Sequence, residues 1–326
     1  MKNYFKSVNG SPLKKNAENR ITRKMLSTAV LIIILIASIS CIILVSAETA
    51  DKAIHIYETV FENEKAKIDF TNANHSSTVT VNAVSKSNKK IKVTITKNDE
   101  NSVIYTYDLK NDSTAETYPL QMGDGEYTVK VWFHISEVKY SLGMAGKYHV
   151  RLSDKNAPFL HPHQYVNYSM SSKTAQIAKE LTKDCRTSLE KAEEIYKFII
   201  HNIEYDAHKA GTVQSGYIPC VDEIIESGKG ICFDYAALFT AMLRSVDIPA
   251  KLVIGYVGPS NIYHAWNEFY LEDGGGEFKI NGMKFSGGKY ERVDPTSDPT
   301  AKSGKHCKQF LQFVLNDENY KTLREY

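Results

Sequence analysis

Three residue types in this chain can combine as a nucleophile, its base and an orienting acid: Cys232, His264 and Asp294. Cys232 follows Gly228-Lys229-Gly230-Ile231 and opens a helical run from about Phe233 to Arg244, which Pro249 forbids from continuing. The sulfur therefore sits at a helix N-terminus. Orphan N–H groups and the positive end of the macrodipole there favour thiolate over thiol, and the thiolate is the nucleophile. Taken alone, Cys232 reads equally as a buried structural cysteine. Two further elements decide between these readings. Ala250 to Val257 reads as a strand, and after the turn Gly258-Pro259-Ser260-Asn261 a second strand runs from Tyr263 to Leu271. Its period of two puts His264, Trp266 and Glu268 on one face. Tyr290 to Val293 leads to Asp294-Pro295-Thr296, where Pro295 ends the strand and holds Asp294 at its tip. Adjacent antiparallel strands bring His264 and Asp294 side by side. Histidine is a suitable base for the thiol proton, and a carboxylate on the other ring nitrogen fixes tautomer and orientation. The backbone N–H of Cys232 is a natural oxyanion donor. Tyr217 and Gln214 are candidates for a second donor, and Trp266 for shielding the cleft; their bland readings are loop residues and core packing.

The elements before this segment set a different texture. Ala192, Ile195, Tyr196, Ile199 and Ile200 recur at helical spacing, as do Ile177, Ala178 and Leu181, so the unit 173–326 starts with helices. Upstream, Val79, Val81 and Ala83 alternate, followed by Ile91, Val93 and Ile95 and by Tyr127, Val129, Val131 and Phe133. Turn signals separate these runs, so 77–153 reads as a small β-sandwich-like domain, with 154–172 as a linker. Ala53, Ile54, Tyr57, Val60 and Phe61 are helically spaced, and 48–76 reads as a stalk with a short helix.

Charge divides the chain further. Residues 1–24 hold seven Lys and Arg against Glu18, whereas 25–47 holds no charge at all. About 20 apolar residues span a bilayer, and a basic cluster stays on the cytoplasmic side. Residues 25–47 are therefore expected to be a transmembrane helix, with 1–24 cytoplasmic and the C-terminal body outside a single-pass cell membrane. The alternative is a signal peptide cut after Ala47 and a secreted protein. The remainder is mildly acidic, which disfavours nucleic acid as a partner. No phosphate-binding glycine motif appears, so nucleotide binding has no support. Five cysteines in 326 residues are too few for a disulfide scaffold, and no C-x-x-C pair supports zinc. A disulfide among Cys185, Cys220 and Cys307 is left open. No cofactor or metal is expected. High Lys, Ile and Asn usage points to an AT-rich bacterial source.

As a set, Gly230-Ile231-Cys232-Phe233-Asp234-Tyr235-Ala236, Asp247-Ile248-Pro249-Ala250-Lys251, Gly255-Tyr256, His264-Ala265-Trp266 and Asp294-Pro295-Thr296 resemble the transglutaminase-like superfamily, most closely its prokaryotic members. The resemblance covers about Thr174 to Ser297. It implies a papain-like α+β core, making the whole chain α+β: a transglutaminase-like catalytic domain at 173–326 preceded by a small β-sandwich and an N-terminal transmembrane helix. It implies Cys232 as nucleophile, His264 as general base and acid and Asp294 as orienting carboxylate, in an enzyme that forms a thioacyl intermediate from an amide of a protein or peptide at the cell surface. Hydrolysis is placed ahead of crosslinking. The competing reading is a non-catalytic surface module that keeps the fold for binding. Three departures stand out: Asp247 where the family usually has glycine, Tyr290 where it often has Trp, and a longer Gly-rich hairpin at Glu272 to Lys289 that is expected to lie over the cleft.

Overall fold

The computed structural model describes residues 58–85, 89–99, 103–299 and 308–326. The expected stalk-helix start, membrane span and cytoplasmic segment at 1–57 lie outside the described residues. Among those described, no helix is long and apolar enough to cross a membrane.

Alternation builds the first half. β1 (Val60–Glu62), β2 (Ala66–Asp69), β3 (Thr78–Ala83) and β6 (Glu116–Pro119) form one antiparallel sheet in the order β1-β2-β3-β6. β4 (Ile91–Lys97), β5 (Tyr105–Leu109), β7 (Gly125–Ser136) and β8 (Lys139–Val150) form another in the order β5-β4-β7-β8. Ile68, Val79 and Val81 of the first and Val93, Tyr107 and Val129 of the second are fully buried in one continuous apolar cluster. Phe70 stacks on Tyr148 of β8 at 5.3 Å, tying the two sheets together. One expectation needs correcting. Val60 and Phe61 have helical spacing with the residues before them, but they lie on a strand, because the following Ala66, Ile68 and Phe70 alternate buried with half-buried neighbours and demand a sheet partner.

The second half is helical and then β. α1 (Lys173–Thr182) starts at Ser172, whose hydroxyl accepts the Ala175 N–H. α2 (Ser188–Asn202) starts likewise at Thr187. α3 (Ala207–Thr212) and α4 (Val221–Ser227) lead to α5 (Cys232–Arg244), in which every side chain from Asp234 to Arg244 is buried. Short strands β9 (Glu204–Tyr205) and β10 (Lys229–Gly230) pair in parallel just before α5. β11 (Ala250–Val257), β12 (Ile262–Tyr270), β15 (Tyr290–Val293) and β16 (Tyr320–Glu325) make an antiparallel sheet ordered β15-β12-β11-β16 that packs on α5. The fold is mixed α and β.

The Gly-rich hairpin does not lie over the cleft. Its strands β13 (Gly276–Glu277) and β14 (Lys284–Phe285) pair with each other, and Phe278, Met283 and Phe285 are buried in the core, with Phe278 against Tyr196 and Phe269. Three large apolar side chains draw the segment inward despite its glycines. Asp273 in the same segment accepts the Ser188 N–H at the start of α2.

The two halves share contacts. The Tyr165 hydroxyl donates to the Thr106 carbonyl of β5 at 3.2 Å, and the Tyr105 ring meets Tyr326 edge-on at 5.3 Å. Arg244 is wholly buried and donates to the carbonyls of His161, Ala250 and Tyr326.

Candidate active site

Cys232 is the first residue of α5, and the residues around it hold the helix start in place. Asp234, fully buried, accepts the Ile231 N–H at 2.9 Å, the Lys209 ammonium at 2.6 Å and the Tyr217 hydroxyl at 2.6 Å. A carboxylate in a first helical turn also opposes the positive end of the helix dipole. Burial, and the Asp234 carboxylate that accepts its proton, push the Tyr217 hydroxyl up, so it stays a donor. Gly230 makes room for this fold-back: a Cβ there would meet the Asp234 Cβ at 2.7 Å.

His264 lies on β12 opposite Gly255 of β11. Its Nε2 is 2.8 Å from Asp294 Oδ2, and the ring shares a cavity wall with the Cys232 side chain. With Nε2 facing the acid, Nδ1 is left for the sulfur. Burial alone would push the imidazolium down, but the Asp294 charge and hydrogen bond, together with Cys232, outweigh it and raise the pKa to about 10. Asp294, 2% exposed, follows β15; its Oδ1 accepts the Thr296 N–H and its Oδ2 accepts the Tyr320 hydroxyl at 3.0 Å. The Trp266 indole lies nearly parallel to the His264 ring at 6.5 Å and edge-on to Tyr320 at 5.0 Å.

Cys232 and His264 open into a cavity of about 540 Å³. Gln214 and Tyr217 line it, as do Tyr165, Phe233, Tyr263 and Tyr326. Trp266 does not: it is fully buried beneath the histidine, because its ring faces the β11–β16 side of the sheet with Val253 and Tyr320. Cys185 is half-buried and Cys220 exposed, both as free thiols, and Cys307 lies outside the described residues. Among the described residues, no group of three or more His, Cys, Asp and Glu is placed to hold a metal ion. Sequence reading missed Asp234, Lys209, Tyr320 and Tyr165. An acidic residue two places after a helix-opening cysteine is a usable signal for Asp234; Tyr320 and Tyr165 carried no local one.

Residues 175–279 match the family model described as the transglutaminase-like superfamily. The human Kyphoscoliosis peptidase is 32% identical over 107 residues, which is 30% of this chain and 16% of that protein. The chain thus spans well under a fifth of the length of that relative. Among solved structures, a candidate cysteine protease from Cytophaga hutchinsonii superposes with a TM-score of 0.38 at 17% identity, covering 83% of this chain and 74% of the other. Red sea bream transglutaminase gives a TM-score of 0.28 at 12% identity, covering 71% and 49%. Asp294 and Tyr320 lie beyond the matched residues. By the family match, the part of the chain that carries Cys232 and His264 is similar to the transglutaminase-like superfamily.

Proposed function

We propose that the protein is a membrane-anchored, extracytoplasmic cysteine enzyme that attacks amide bonds of proteins or peptides through a thioacyl intermediate, with hydrolysis as its main outcome. In this reading residues 25–47 are the anchor and the β-rich region at 60–150 is a sandwich-like domain. One observation carries the chemistry: His264 is held by Asp294 at 2.8 Å and faces the same cavity as Cys232, which opens a helix. The similarity to a peptidase supports peptide bonds as the target.

The steps follow from the groups present. The Cys232 thiolate attacks the amide carbonyl carbon, and the oxyanion that forms meets the free backbone N–H groups of the first turn of α5. The His264 imidazolium gives its proton to the amide nitrogen as the C–N bond breaks, so an amine leaves and a thioester remains. Neutral His264 then takes a proton from water, whose oxygen attacks the thioester; an acid is released and the thiolate restored. An amine in place of water would give a crosslink. Asp294, fixed by Tyr320 and the Thr296 N–H, holds the ring and its charge throughout.

Iodoacetamide at neutral pH tests the reading on the full-length protein in detergent. Cys232 should be alkylated faster than Cys185, Cys220 and Cys307, and His264→Ala should slow it. Equal rates for all four would favour a non-catalytic module. Protease applied to intact cells should degrade the body and spare residues 1–24; a protected body would refute export.

A further inference from the structure

Apart from Cys232 and His264, the reacting pair, the side chains described as lining the cavity at Cys232 are uncharged. Among its described lining residues none is Asp, Glu, Lys or Arg, and much of its wall is aromatic. Lys209, next to the lining Ala210, is committed to Asp234 and Tyr217. A charged group entering such a wall would shed water and meet no Asp, Glu, Lys or Arg among the lining side chains, whereas an apolar one gains by leaving water. The position of the sulfur says which half of a substrate belongs here. Cys232 lines this cavity. A neighbouring cavity of about 380 Å³ is lined by His264 and Asp294 but not by Cys232. The acyl group stays on sulfur, while the amine leaves past the proton-bearing ring.

One wall residue comes from the segment that joins the two halves of the fold. The Tyr165 ring lies 5.8 Å from Phe233, the neighbour of Cys232, and 4.9 Å from Tyr326. Its hydroxyl is tied to the Thr106 carbonyl of β5. The β-rich region thereby fixes part of the cavity wall. We infer that this cavity receives an uncharged, apolar or aromatic side chain on the acyl side of the scissile amide, and that Tyr165 is a specificity-determining residue of that subsite. The inference rests on Cys232 being the nucleophile.

A matched series of N-acetyl aminoacyl chloromethyl ketones tests it on the full-length protein in detergent. Sulfur displaces chloride to give a thioether, read by mass spectrometry at Cys232, with iodoacetamide as the control for the nucleophile itself. The Phe and Leu probes should react at least about tenfold faster than the Asp and Lys probes. Tyr165→Ala should draw the ratio toward one when each rate is taken relative to that variant's own iodoacetamide rate. Val213→Lys places a cation in the wall and should raise the Asp rate relative to the Lys rate, and it decides the matter if Tyr165→Ala does not fold. Equal rates across the series, faster charged probes, or no reaction of any probe with an iodoacetamide-reactive Cys232 would overturn the subsite. If iodoacetamide itself does not single out Cys232, the nucleophile reading has failed first.

Discussion

Tyr320 and His264 meet at one oxygen atom: the tyrosine hydroxyl donates to Asp294 Oδ2 at 3.0 Å, and His264 Nε2 lies 2.8 Å from the same atom. Burial and the adjacent Asp294 carboxylate hold the Tyr320 hydroxyl well above its ordinary pKa, so it remains a donor. A hydrogen bond to a charged group contributes about 1.5–3 kcal/mol. Tyr320→Phe should lower the unfolding free energy by that amount in a urea titration and slow Cys232 alkylation, though less than His264→Ala does. An unchanged midpoint would mean that Asp294 does not depend on this donor.

The charge on His264 makes stability depend on pH. Burial opposes the charge, but Asp294 and Cys232 prevail and raise the pKa from 6.5 to about 10. The native state therefore binds this proton more tightly than the unfolded chain. The resulting stability is fully present below pH 6.5 and is lost as pH rises through about 10. Denaturant titrations across that window should show wild type weakening more steeply than His264→Ala. Parallel curves would remove the coupling.

Gly255 is required by a close approach. A Cβ there would lie 2.1 Å from the Lys321 carbonyl oxygen and 2.7 Å from the Trp266 ring. Gly255→Ala should push β16 off the edge of β11, costing about 1–3 kcal/mol, and should slow Cys232 alkylation because Tyr320 moves with the strand. Wild-type stability would show that the edge strand yields freely.

Asp247 occupies a place where glycine is usual in the family, and its backbone explains why: φ is +65°. The turn that ends α5 closes with the Ile248 N–H on the Leu243 carbonyl at 3.0 Å and the Asp247 N–H on the Arg244 carbonyl at 3.2 Å, the pattern of a left-handed helix stop. Aspartate tolerates that region better than branched residues do. Asp247→Gly should be near neutral, whereas Asp247→Val should cost more than about 1 kcal/mol. Equal costs in thermal melts would locate the constraint elsewhere.

Much of the site was legible. Cys232 after two glycines, His264 at period two in a strand and Asp294 before Pro295 are local patterns, and each lies on the element those patterns imply. The strands at 60–69 were not, because Val60 and Phe61 fit a helical period over the few residues before the alternation begins. The hairpin at 272–289 misled in the opposite direction: its extra length suggested a segment over the cleft, while Phe278, Met283 and Phe285 placed it in the core.

Consecutive residues determined the periods of two and 3.6, the helix stop before Pro249 and the chain order Cys232, His264, Asp294, since backbone geometry and side-chain alternation act over a few positions. Tertiary structure alone decided that β16 closes the sheet beside β11, that Tyr320 reaches Asp294 and that Tyr165 enters the Cys232 cavity. Those contacts join residues 26 and more positions apart. Their free energy comes from burying surfaces jointly, and no single stretch of chain carries that quantity.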